Sequence, residues 1–248
     1  MRRSNLLVTI ASLAISIIAA RSQAATISVL LPNSVDQKAT VSNEGLLAYE
    51  FGYRTVFSDR LSLDLASYFN QYDGLSTSEP GTPFFENSPA PPHLVEPIIF
   101  KNLMHGETHG LEIFGTWKVS DRWTISPGYA FEAIHLHISP QSQDTQAVPT
   151  TEGVVPAHQA QIRSHFQLMK PLSLESSAYF VDRLRFGSVP SYTRLDTGLL
   201  WTAWEGVSVG VFGQNLLKDH HAESNDGNTS DQPSVSKRGG YVQFTWRF

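Results

Sequence analysis

From Gly45 onward, apolar and polar residues take turns along segments of about ten residues. A period of two is the signature of strands with two unlike faces. It is clearest at the end of the chain. Val242, Phe244, Trp246 and Phe248 share one parity, and Tyr241, Gln243, Thr245 and Arg247 share the other. Leu61, Leu63, Leu65 and Phe69 alternate with Ser62, Asp64, Tyr68 and Asn70. Ala160, Ile162, Phe166 and Leu168 alternate with Gln159, Gln161, Arg163, His165 and Gln167. The pattern predicts about nine strands, near 45–57, 61–73, 98–118, 123–137, 157–169, 172–184, 192–203, 207–218 and 237–248, with no helix after the N-terminal leader.

The connections decide the architecture. Minimal turns are expected at Ser58-Asp59-Arg60, Ser120-Asp121-Arg122, Lys170-Pro171 and Glu205-Gly206. Between them lie long stretches, Gly74 to Pro97, Ser139 to Pro156 and Asp219 to Ser236, and a medium one at Phe186 to Ser191. Short and long connections alternate throughout. A soluble sandwich has no physical reason for that order. A barrel crossing a membrane has short turns on one rim and long loops on the other. The fold class read here is therefore all-β: an antiparallel meander of about nine long strands, forming part of a transmembrane β-barrel and preceded by a signal peptide. Alternation then turns Glu50, Arg54, Asp64, Glu112, Glu132, Arg163, Glu175, Arg194 and Asp196 toward the lumen. An Arg or Lys on the lipid face near midplane would cost about 2–4 kcal/mol, so nine ionisable residues of one parity are informative. Tyr49, Phe51, Tyr53, Trp117 and Trp123 fall on the lipid side.

Composition removes several alternatives. The 18 Lys and Arg are scattered and the net charge is -5, so no nucleic-acid partner is indicated. There is no cysteine, hence no disulfide, thiolate metal site or thiol nucleophile. Mean hydropathy is -0.18, and beyond the N-terminus no apolar run nears the ~20 residues of a spanning helix.

Residues 1–24 read as a signal peptide: Arg2 and Arg3, an apolar stretch from Leu6 to Ala20, and a small-x-small site at Ser22-Gln23-Ala24. The mature chain would start near Ala25. An uncleaved anchor, or an arbitrary start on a gene fragment, is the other reading. Residues 25–44 form an N-terminal tail or a partial strand, and 26–31 could add a tenth strand. The barrel segment covers 45–248.

Five stretches carry a family resemblance. They are Leu46 to Arg54 (LLAYEFGYR), Leu61 to Asp73 (LSLDLASYFNQYD), His105 to Glu112 (HGETHGLE), Tyr192 to Asp196 (YTRLD) and Gly213 to Leu217 (GQNLL). In this order they resemble strands near the C-terminal end of TonB-dependent outer-membrane receptors, of the siderophore or iron-complex type. Phe248 resembles the family's terminal aromatic assembly signal, read by the barrel insertion machinery. The resemblance implies a 22-stranded barrel with an N-terminal plug and a TonB box, and a parent function of TonB-dependent uptake of iron–siderophore or similar ligands. Between Ala25 and Gly45 there is no room for a plug, and no TonB box is seen there. The chain would then match the last nine strands of such a barrel: a fragment, a split receptor half, or a reduced barrel. Its partners would be outer-membrane lipid, the insertion machinery, a missing plug and N-terminal barrel half, and the ligand.

The nine histidines invite a metal reading. His135 and His137 share a strand face, His105 and His109 lie near a strand entrance, and His220 and His221 lie in the last loop. No metal or cofactor site is assigned. Ligand contacts are expected from the long loops and the upper lumen, around His93, His135, His137, His220 and His221. Glu112, Glu132 and Glu175 are read as a hydrated lumen rather than catalytic carboxylates. No G-x-S-x-G and no phosphate-binding Gly loop occurs, so no enzyme activity is expected. Asn228-Thr229-Ser230 is read as loop composition. Two rivals remain open: a small standalone porin-like barrel, and a soluble secreted β-sandwich binding module.

Overall fold

The computed structural model describes residues 42–89, 91–224 and 234–247. In chain order its elements are β1 (Gly45–Ser58), β2 (Leu61–Pro80), β3 (Phe84–Glu86), β4 (His93–Val95), β5 (Ile98–Ser120), β6 (Trp123–Ile138), α1 (Ala147–Gly153), β7 (His158–Met169), β8 (Leu172–Val181), the 3-10 turn η1 (Phe186–Ser188), β9 (Tyr192–Trp204), β10 (Val207–Gln214), β11 (His220–Ser224), β12 (Ser234–Lys237) and β13 (Gly239–Trp246). Nine of these strands form one antiparallel sheet in the order β1-β2-β5-β6-β7-β8-β9-β10-β13. The remaining four pair as small hairpins, β3 with β4 and β11 with β12.

Register assigns the faces, because residues directly opposite each other across strands lie on the same side of a sheet. Tyr53, Leu65, Ile113, Tyr129, Ala160, Phe180 and Thr193 form one row across seven strands. The adjacent row, of opposite parity, is Gly52, Ala66, Glu112, Ala130, Gln159, Val181 and Tyr192. The nine ionisable residues expected in the lumen all fall on the second face. Tyr49, Phe51, Tyr53, Trp117, Trp123, Leu199, Trp201 and Val211 are on the first, and all are exposed.

That exposure separates the membrane reading from the soluble one. A β-sandwich buries the apolar faces of its sheets against each other. Here Val242, Phe244 and Trp246 are 70%, 66% and 67% exposed. A contiguous apolar face of this extent marks a surface made for lipid or another apolar partner. The β-sandwich reading fails on this point.

The four short turns share one construction. Each has a shift of register beside it, between Val56 and Ser58, Lys118 and Ser120, Gln167 and Met169, and Val207 and Ser208. A bulge next to a tight turn increases the local twist and reconciles the turn with the strands. In the two Ser-Asp-Arg turns, the serine hydroxyl accepts the backbone N–H of the arginine, at 3.2 Å from Arg60 and 3.3 Å from Arg122. Gly206 sits at φ +80, where a Cβ would meet the Arg247 carbonyl at 2.6 Å, so this turn needs glycine.

Two expectations need correction. A helix does occur after the segment read as a leader: α1 lies inside the β6–β7 connection. Asp144 accepts the N–H groups of Gln146 at 2.8 Å and Ala147 at 2.9 Å, which starts the helix. Seven residues are too few for a 3.6-residue period to show in a sequence. Strand β2 also runs on to Pro80, past the end expected near residue 73. Gly74 is at φ +67, and the register shifts between Tyr72 and Leu75 and between Leu75 and Thr77. The Gly and Ser residues there read as a loop, yet β2 stays paired with β5 as far as Ile98. The leader, the segment 26–31, Phe248 and the Asn228 triplet lie outside the described residues.

Candidate functional site

The ionisable face and the long connections form the candidate site. On the inner wall, Arg54 clasps Asp64 on the next strand, its Nε 2.7 Å from Oδ2. His165 Nδ1 lies 2.6 Å from Glu175 Oε1, and the Ser173 hydroxyl donates to the same oxygen at 2.8 Å. Gln159 and Gln161 extend this polar wall beside Glu112 and Tyr179. Aromatic rings lie flat on it where glycines leave room. Tyr68, Gly110 and Glu132 sit in one row on β2, β5 and β6. A Cβ on Gly110 would fall 2.5 Å from the Tyr68 ring, which lies across that position with Glu132 next in the row. Phe212 likewise covers Gly198 and Gly210.

The upper wall holds a second network, where two of the sequence stretches noted above meet. Arg194 and Asp196, two residues apart on β9, join through two hydrogen bonds of 2.8 and 2.6 Å. Asp196 Oδ1 also accepts the Asn215 backbone N–H at 2.9 Å. Asn215 is fully buried, at φ +52 just past the end of β10. Its side chain donates to the Ser236 carbonyl at 3.1 Å, and its Oδ1 lies 3.1 Å from His221 Nδ1. His221 Nε2 in turn lies 3.2 Å from Glu223, and its ring stacks on Tyr192 with centroids 4.0 Å apart. The network ties the root of the last long connection to the wall.

A third cluster anchors the β6–β7 connection to the outer extension of β2. The buried Glu79 carboxylate accepts the Ser142 hydroxyl and the Gln143 N–H, both at 2.6 Å. Asp144 accepts the Ser78 N–H at 2.7 Å. Burial works against both charges, but these hydrogen bonds outweigh it. Glu79 and Asp144 are held below their ordinary values of 4.5 and 3.8.

The five histidines expected to touch ligand do not converge. His93 lies in the β3–β4 hairpin, with Nε2 3.3 Å from Glu86. His220 is exposed on β11 opposite Lys237. His221 is only 6% exposed and committed to Asn215, Glu223 and Tyr192, so it builds the wall. His135 and His137 share the face of Phe131 and Tyr129, because residues two apart on a strand point the same way. They therefore face away from the lumen, correcting the upper-lumen placement. The sequence reading missed Asn215 and Glu79 as anchors. A buried Asn at positive φ after a strand offers no periodic signal, and Glu79 lay in a stretch read as loop.

A nine-stranded sheet with an ionisable inner wall, an apolar outer face and long connections on one rim can be compared with known proteins. The profile of the TonB-dependent receptor-like β-barrel family matches residues 37–216. The chain belongs to this family. Among solved structures, it is similar to the ferric-catecholate import receptor Fiu from Escherichia coli K12, at 15% identity and a TM-score of 0.59, over 91% of this chain and 30% of that one. A mutant of the ferric enterobactin receptor PfeA from Pseudomonas aeruginosa matches at 16% identity and a TM-score of 0.61, covering 84% and 32%. The ferric yersiniabactin uptake receptor FyuA from Yersinia pestis matches at 13% and 0.60, covering 93% and 33%. This TonB-dependent receptor-like chain thus spans about a third of each of them, and identities this low establish the fold alone. No curated protein sequence matches it.

Proposed function

We propose that the chain supplies the C-terminal wall of an outer-membrane receptor barrel whose ligand is an iron–siderophore complex or a similar metal chelate. The observation that carries this reading is the division of the sheet into an ionisable inner face and an apolar outer face, in a chain that matches the receptor barrel family over residues 37–216. The three solved structures above are of receptors named for ferric chelates: ferric catecholate, ferric enterobactin and ferric yersiniabactin. The function is binding and passage rather than catalysis. Residues 1–24 act as the export signal, Phe248 as the mark read by the insertion machinery, and His93 and His220 as loop contacts to ligand.

Energised uptake requires a plug and the rest of the wall. Barrels of this class have 22 strands, so the nine strands among the described residues leave about 13 to be supplied. The test uses a bacterium lacking its own siderophore receptors. The chain alone is expected to reach the outer membrane without restoring growth on a ferric siderophore. The chain fused behind a plug and 13 strands from a relative is expected to restore it. Growth with the chain alone would contradict the proposal.

A further inference from the structure

On the lipid-facing side of β5 and β6, polar residues gather above an otherwise apolar face. Glu107 is directly opposite His135, and His105 directly opposite His137. His109 completes the group one step down β5, two residues from Glu107, with its ring stacked on His135 at 5.6 Å. The His105 and His137 rings lie 5.7 Å apart. All five share the face of Ile113, Leu111, Tyr129 and Phe131. The ligating atoms of Glu107, His109 and His135 lie within 4.8 Å of one another, the one such convergence of three metal-ligating side chains among the described residues.

We propose that Glu107, His109 and His135 form a binding site for a divalent transition-metal cation on the outer surface of the barrel wall, with His105 and His137 as a further imidazole pair beside it. The donor set selects the ion. Imidazole nitrogen with one carboxylate suits Zn2+, Ni2+ or Cu2+, whereas Ca2+ and Mg2+ call for oxygen cages. Bonds of about 2.0–2.1 Å around a tetrahedral ion put ligand atoms a little over 3 Å apart. Side-chain rotation alone closes the gap, because the three ligands stand on neighbouring strands fixed by the ladder.

Depth explains why such a group can stand on this face. Glu107 is ten residues along β5 from Trp117 near the short-turn rim. At about 3.3 Å per residue and a tilt of about 40°, that is roughly 25 Å, the height of the apolar band of such a barrel. Tyr49 and Phe69 lie in the row of His109, with Phe131 one step below, and they supply the aromatic border. The cluster is therefore at headgroup level, open to water and ions from outside. A cation there neutralises the carboxylate and staples β5 to β6 without entering the lumen. The site is independent of any ligand that passes through the barrel, so it stands or falls separately from the proposed uptake function.

The test uses the full chain, untagged with histidine, refolded in detergent and checked by heat-modifiable migration. Zn2+ and Ni2+ titrations by calorimetry and Cu2+ electron paramagnetic resonance would be compared with the variants His109→Gln, His135→Gln and Glu107→Gln. Wild type is expected to bind one equivalent with nitrogen hyperfine structure. Each variant is expected to weaken binding roughly tenfold or more. His93→Gln and His220→Gln are expected to change nothing. These three side chains point outward and are not part of any core, and Glu107→Gln preserves shape, so at least one variant remains interpretable if another misfolds. The proposal is overturned if wild type and the three variants bind alike, or if the metal signal follows His93, His220, or His105 and His137 without the triad.

Discussion

Single residues on the inner wall differ widely in what they hold. Asn215 is fully buried; Asn215→Ala would keep the backbone N–H to Asp196 but remove the side-chain bonds to the Ser236 carbonyl and to the buried His221. The expected loss is about 1–3 kcal/mol, measured as a lower urea midpoint of the folded barrel in detergent. Arg60 and Asp121, which link two short turns at 3.1 Å, are both well exposed; Arg60→Ala should cost no more than about 1 kcal/mol in the same assay. At Gly110, valine would collide with the Tyr68 ring and cost roughly 1–3 kcal/mol. Adding Tyr68→Ala should recover part of that loss, since the two positions share one space. Sequence parity placed Arg194 and Asp196 on the correct face, because parity is local. It could not say that Asn215 would reach Asp196, because that contact depends on how the chain leaves β10.

At the scale of elements, strands were legible and their ends were not. Alternation located all nine long strands and the four short turns within a few residues. It stopped β2 early, because Gly74 breaks the period while β5 keeps the backbone paired beyond it. It gave nothing for β3, β4, β11 and β12, whose three to five residues are too short for a pattern. The loop clasp at Glu79 and Asp144 has a definite pH signature. Both carboxyls titrate below their ordinary values in the folded chain. Their contribution is therefore complete above pH 4.5 and is lost as pH falls through the lower folded values. Hydrogen exchange of residues 139–147 should be slow at pH 7 and become fast, after correction for intrinsic rates, only in that acidic range. Glu79→Gln should make the segment fast at neutral pH. Rapid exchange in the wild type at pH 7 would refute the clasp.

At the scale of the molecule, the described sheet is open at two margins. Among the described residues, β1 and β13 are each paired on one side only. Backbone groups facing hydrocarbon without partners cost several kcal/mol each, so those margins call for adjoining strands in a membrane. The open order of the sheet agrees with a chain that matches the last nine strands of a larger barrel. Whether or not the sheet closes, one face meets lipid and the other meets water. The chain has no cysteine, so single spin labels can be placed at will. The decisive measurement is collision accessibility along β7 and β8 in lipid vesicles, using Gln161→Cys, Ile162→Cys, Arg163→Cys, Ser177→Cys and Ala178→Cys. Labels at Ile162 and Ala178 should meet oxygen dissolved in the bilayer, and labels at Gln161, Arg163 and Ser177 should meet a water-soluble nickel complex. Uniform protection at all five positions, or the opposite alternation, would contradict the account.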